Sequence, residues 1–352
     1  MVLAWLVNFY VHSIPPSDIG ELIYIPRSLA VPLVDISKIL KIAPVLTFAD
    51  TVLWNWDLVN PHLPVSIENM RFVNLFSGTE DERNFYTTSA RAEFAGVEML
   101  RIINDYANLP NVTDRASIST IARDLGKLKN VIEGIDTIIQ AVRDVVDPHV
   151  FYWEIRPWYE GSQAKGPTEP RWIYEGVPDS DKLDLSGPSA GQSSVMHALD
   201  IFLDIDHKLR ERRSPAPSPA NKKANTGFME RMRLYMPGKH RDYLNHLAST
   251  SRPIRQLAKE TRELREPYDA AVMALKKLRD MHMRIATLYI VSMSRSSPPV
   301  GCGCPVAAMM AKQEKEAAEG KGPARGTGGN ELSALLKAGR DATRRAVLKD
   351  NI

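Results

Sequence analysis

Only two of the 352 residues are cysteine. Cys302 and Cys304 stand one residue apart in Gly301-Cys-Gly-Cys-Pro305, so they cannot staple distant elements, and two thiols alone make a poor zinc site. They are expected to be loop residues in a reducing compartment. Charge of one sign is also lacking. The 45 Lys and Arg against 42 Asp and Glu leave a formal +3, spread along the chain, which gives no reason to expect nucleic acid. Long apolar runs are missing as well. Met1 to Ile14 is apolar and uncharged but too short to span a bilayer. It has no basic leader or small-residue cleavage site, so it is expected to start a buried helix. A cytoplasmic protein that engages no membrane is expected. No Ser/His/Asp set, paired-carboxylate spacing or His/Cys metal cluster stands out. If the chain is an enzyme, a cofactor is then expected to carry the hard chemistry.

What is present is helical periodicity. Apolar content of 44% and charged content of 25% are those of an ordinary globular protein, and the length can bury a large core and suggests two domains. Glu80 to Tyr106 sets Phe85, Ser89, Ala92, Ala95 and Met99 on one side. After Thr113-Asp114, a good N-cap, one stripe runs Ile118, Ile121, Leu125, Leu128, Ile132, Ile135, Ile139, Val142 and Val146. Further helices are expected at Val45–Trp56, from Phe151 to Trp158, at Ser193–Leu209, Gly227–Thr250 and Asn330–Asp350. Leu22–Ile25 and Trp172–Tyr174 alternate briefly and suggest edge hairpins. The fold class is therefore mainly α. Residues 211–226, rich in Pro and Ser, and 292–329, small and polar, are expected to be flexible loops.

Three features could carry chemistry. Tyr268, Ala271, Leu275, Leu278, His282, Ile285 and Tyr289 form one apolar helix face, and an imidazole inside such a stripe could hold haem iron. A core histidine satisfied by a backbone carbonyl is the alternative, and the stripe alone favours it. Pro188-Ser-Ala-Gly-Gln-Ser-Ser194 leads into a helix and would let a flat ligand approach the backbone, though an ordinary capped loop explains it as well. Arg156, beside Phe151 and Trp153, suits bidentate capture of a carboxylate or simple packing on tryptophan. Gly326-Thr-Gly-Gly329 lacks the Lys-Ser/Thr of a phosphate loop and fits a closing loop better.

In their order these segments resemble the indoleamine 2,3-dioxygenase family. The resemblance rests on Pro44–Trp56, Gly187–Ser194, Met232–Arg241, Leu264–Ala270 continuing to Leu278-Arg-Asp-Met-His282, and Gly326–Gly329. It implies a large all-helical haem-binding domain over residues 79–352. It also implies a smaller, shortened N-terminal helical domain over 1–78 that covers the distal pocket. It further implies haem b, with His282 as the proximal iron ligand, Ser189 and Ala190 bordering the haem, and Arg279 with Asp200 near a propionate and the proximal side. Phe48, Phe85, Phe151 and Ala190 would line the substrate pocket, with Ser89 near the indole N–H. Arg156 would meet the substrate carboxylate and Thr327 the ammonium. The implied reaction inserts both atoms of O₂ across the indole C2–C3 bond of L-tryptophan to give N-formylkynurenine. A cellular reductant would keep the iron ferrous, and a monomer is expected. Phe48 stands where tyrosine is familiar in the family, Thr51 where cysteine is, and Pro188 where glycine is. A non-catalytic haem- or indole-binding relative, and a helical interaction protein in which His282 is structural, are the alternatives.

Overall fold

The computed structural model describes residues 1–14, 22–162, 170–205, 227–249, 252–299, 326–327 and 331–348. The two cysteines, the linker 211–226 and most of the loop 292–329 lie outside them. Eight principal helices are α1 (Val2–Ser13), α2 (Arg27–Leu40), α3 (Glu80–Ala107), α4 (Arg115–Gln140), α5 (Ser194–Phe202), α6 (Gly238–Ala248), α7 (Arg262–Ala286) and α8 (Leu332–Arg345). The mainly α expectation holds.

Local chemistry sets the long helices. The Thr79 side chain caps α3 by accepting from Glu82 N–H. Glu82 reaches back to the N–H groups of Phe76 and Ser77, satisfying donors that a helix start leaves open. Asp114 caps α4 by accepting from Ser117 N–H at 2.9 Å. The α4 stripe Ile121, Leu125, Leu128, Ile132 and Ile135 is buried, each side chain contributing about 1.5–3 kcal/mol. α7 lies along α4 and also packs on α8, while α3 packs on α4 and α5.

Two large hydrophobic cores result, with a small third cluster formed by Tyr152 and Trp153. One joins α4 and α5 to Met99, Ile102 and Ile103 of α3 and to α7 as far as Leu278. The other gathers α1, α2, the start of α3 around Tyr86 and Ala90, the segment Val142–Tyr159 and Tyr289. α3 and α7 each run from one core into the other.

Several local expectations fail for identifiable reasons. Val45–Trp56 is not an α-helix. Ala49–Leu53 forms a π-helical turn closed by Trp54 N–H on Ala49 O, and Asn55 then ties the chain to Asn74, drawing it into β2 (Trp56–Leu58). From Phe151 the chain makes a π-turn to Ile155 and a 3₁₀ turn over Arg156–Tyr159, because Pro157 offers no N–H to continue a helix. α7 passes into a third π-turn at Thr287–Ser292. Pro237 likewise divides the run expected at Gly227–Thr250. The alternating segments do not make hairpins. β1 (Leu22–Ile25) pairs in parallel with β4 (Arg171–Tyr174), a contact between distant segments that local alternation cannot reveal. β2 also pairs antiparallel with β3 (Met70–Phe72).

Candidate functional site

α3 and α7 each carry a few polar residues where they pass from one core to the other. On α7, Leu278 belongs to the first core, while Ile285 packs against the second, so His282 falls between them. Its ring is half-buried and makes no hydrogen bond to any described residue. The carbonyl partner that a purely structural histidine would need is therefore not there among them. Burial, and then the nearby Arg279 charge, lower its pKa, which keeps the imidazole neutral with a lone pair to offer.

Behind His282, Arg279 makes a bidentate pair with Asp200 of α5 at 2.6 and 2.7 Å. Its other terminal nitrogen donates to Gly339 O at 3.3 Å and to the Thr343 hydroxyl, both on α8. The expected Arg279–Asp200 pairing is present, and it locks α5, α7 and α8 together.

On α3, Ser89 and Glu93 lie one turn apart. The Ser89 hydroxyl donates to Phe85 O at 3.0 Å. Glu93 accepts from Ser193 Oγ at 2.5 Å, the residue whose side chain caps α5. Burial raises the Glu93 pKa to about 7, with the Ser193 hydrogen bond opposing. Nothing in the sequence singled out Glu93. Its only signal was its place four residues after Ser89 on a largely apolar face.

An aromatic wall stands on the second-core side. Phe85 meets Phe151 with ring centroids 4.9 Å apart and lies 6.1 Å from Tyr159, and Phe151 presents to Tyr289 edge-on at 5.6 Å. The π-turn explains how Arg156 joins this wall. Arg156 N–H donates to Phe151 O, an i→i+5 bond that ties the arginine's backbone to the residue carrying that ring. Arg156 is 5% exposed, and its guanidinium lies 5.4 Å over the Tyr152 ring and is ion-paired with Glu160 at 3.1 Å. Glu160, like the three π-turns, was not anticipated.

The Gly187–Ser193 segment closes the third side. Gln192 accepts from Phe48 N–H at 2.8 Å and donates to Gly187 O, which fixes Phe48 and Thr51 beside the turn. Thr327 Oγ1 donates to Pro188 O at 2.8 Å, so Thr327 touches the same turn. His197 takes a bond from Arg233 on Nδ1, which leaves Nε2–H to hold Gly191 O at 2.9 Å. Ser189 is half-buried and Ala190 exposed, so both offer surface to a ligand. Gly161 and Gly187 let two backbones cross closely here, since a Cβ on Gly161 would come within 2.5 Å of Gly187 N.

Among the described residues, Phe85 is joined to Phe151 by a ring contact and to Ser89 by a hydrogen bond, Arg156 is bonded to Phe151, and Phe48 and Thr327 are each hydrogen-bonded to the turn that carries Ser189 and Ala190. His282 and Arg279 lie about one turn apart on α7, with Asp200 of α5 paired to Arg279. No hydrogen bond or ring contact joins His282 to the aromatic wall among the described residues. No helix there is long and apolar enough to cross a membrane, and no three His, Cys, Asp or Glu converge as a metal site.

Together these features define a mainly helical protein with a neutral, half-buried imidazole on α7 and an aromatic wall around Phe85 and Phe151. The sequence profile of indoleamine 2,3-dioxygenase matches residues 1–346, and the chain belongs to that family. It is 29% identical over 350 residues to mouse indoleamine 2,3-dioxygenase 1, covering 99% of this chain and 79% of the relative. Mouse indoleamine 2,3-dioxygenase 2 is 32% identical over 326 residues, covering 92% and 73%. The indoleamine 2,3-dioxygenase of Saccharomyces cerevisiae is 29% identical over 357 residues, covering 97% and 76%.

Proposed function

We propose that this protein is a haem-dependent dioxygenase that opens the indole C2–C3 bond of L-tryptophan with O₂ and yields N-formylkynurenine. The observation that carries this is His282: neutral, half-buried, without a hydrogen-bonding partner among the described residues, and placed at the seam between two cores. The residues fit haem b. A neutral imidazole on a rigid helix would suit as a ligand to haem iron, and among the described residues no group of three His, Cys, Asp or Glu offers a rival metal site. Ser189 and Ala190 would border the macrocycle. When bound as ferrous iron, the haem supplies O₂ activation, and a cellular reductant would maintain that state.

The chain's own residues do the rest. Phe85 and Phe151 flank the indole and exclude water, and Phe48 closes the wall through its tie to Gln192. Ser89 sits beside the indole N–H. Its hydroxyl proton is spent on Phe85 O, so its oxygen is available as an acceptor. Arg156 meets the substrate carboxylate and Thr327 the ammonium. Arg279 and Asp200 position the helix that carries His282. Residues 1–78 would cover the distal pocket, with 79–352 holding the haem.

The test is reconstitution with haem, anaerobic reduction with an optical spectrum, then addition of O₂ and L-tryptophan while following N-formylkynurenine absorbance. Product formation that depends on all three is expected. Haem uptake with a tryptophan-induced spectral change but no product would instead indicate a non-catalytic binding member.

A further inference from the structure

α3 and α5 meet closely where the Gly187–Ser193 turn ends. A Cβ at Gly96 would strike the Val195 side chain, so glycine there lets the start of α5 approach α3. Three residues earlier on α3, Glu93 accepts from Ser193 Oγ at 2.5 Å, and the same hydroxyl oxygen accepts from Met196 N–H as the cap of α5. Ser194 is bonded in turn to His240 of α6 at 2.8 Å. The end of the turn is thus held to α3 through an acid and to α6 through an imidazole. Charged groups on the elements packed against α3 have other partners or face water. His197 and Asp200 of α5 bond Gly191 O and Arg279, Asp136 of α4 bonds Gln140, Asp50 bonds Thr47, Glu154 is half-buried, and Glu68, Arg143 and Asp144 are exposed.

We infer that Glu93 is a positioning residue that acts through Ser193: protonated, it holds the turn against α3, and ionised, it loosens the turn and with it the haem. Ionisation leaves a carboxylate short of water at a close helix crossing, and parting the two helices hydrates it. The Ser193 hydrogen bond favours the ionised form, but burial outweighs it, which is why the carboxyl titrates at about 7. The inference rests on the function proposed above, since it takes Ser189 and Ala190 of this turn to border the macrocycle.

With a pKa of about 7 in the closed turn and 4.5 in the opened one, opening becomes about tenfold easier between pH 6 and pH 8. The direction is diagnostic, because protonating His240 would loosen the turn on acidification instead. Haem loss from the holoprotein is measured by transfer to excess apomyoglobin, followed by Soret absorbance across that range. Release from the parent should quicken by about tenfold as pH rises, while Glu93→Gln, which can still accept from Ser193 but cannot ionise, should stay flat within about twofold. A parent whose release is flat, or slows with rising pH, overturns the inference without need of a variant. So does a Glu93→Gln protein that keeps the parent's acceleration. If the parent takes up no haem, this inference and the functional proposal fall together. If it holds haem and lacks the acceleration, only the role of Glu93 falls.

Discussion

Replacing Asp200 by asparagine changes a carboxylate into a near-isosteric amide and so isolates the electrostatics of one buried pair. Asp200 is 4% exposed, and the Arg279 side chain 13%, so solvent screens the pair little. Breaking a buried ion pair by removing one partner costs about 3–5 kcal/mol, because the other charge stays behind. Arg279 keeps its bonds to Gly339 O and Thr343, and the new amide oxygen can still accept once, which places the expected cost near the low end, at about 3 kcal/mol. Urea unfolding followed by helical circular dichroism reads this as a lower midpoint. Arg279→Met should cost a similar amount, and the double variant clearly less than the sum, with a coupling of about 2 kcal/mol or more. Arg279→Met should also raise the His282 pKa towards its ordinary 6.5, because a nearby cation is removed; ring-proton NMR across pH reads that shift. Costs below about 0.5 kcal/mol, or single effects that simply add, would refute a buried interaction holding α5, α7 and α8 together.

Two further predictions follow from the site. Glu93 binds its proton more tightly in the native state, since its pKa rises from 4.5 to about 7 on folding. Between those values the unfolded chain ionises first, so native stability falls as pH rises through the window and then levels off. Glu93→Gln should therefore match the parent near pH 4 and exceed it at pH 8 by up to ~3 kcal/mol, measured as urea midpoints; equal midpoints at pH 8 would count against a buried acid there. The second concerns the backbone crossing: a Cβ at Gly187 would strike the Tyr159 carbonyl, whereas one at Gly134, exposed within α4, meets nothing within 4 Å. Gly187→Ala should lose about 3 kcal/mol or more of stability, while Gly134→Ala should gain about 0.5–1 kcal/mol, both read from thermal unfolding; similar effects at both sites would contradict the close approach.

The helical scaffold was legible in the sequence because its determinants are local. The Asp114 cap and the stripe from Ile121 to Ile135 state both the start and the buried face of α4. His282 was visible as a titratable ring within such a stripe, but whether a carbonyl satisfied it depended on partners distant in sequence. The three π-turns escaped periodicity, since each inserts one residue into an otherwise regular pattern, and their placement is set by tertiary contacts such as Asn55 with Asn74. Parallel pairing of β1 with β4 lay beyond reach for the same reason. Glu160 and Glu93 read as ordinary charged residues in the sequence; only the fold shows that each is half-buried against a specific partner.

The most direct test is stoichiometric titration of haem into the protein and into His282→Ala, followed by Soret absorbance with and without added free imidazole. The parent is expected to bind one haem per chain with the spectrum of histidine-ligated iron, and the variant to lose that spectrum and regain it in part when imidazole occupies the vacated space. A variant that keeps the parent's spectrum and affinity would contradict ligation by His282 and the function built on it.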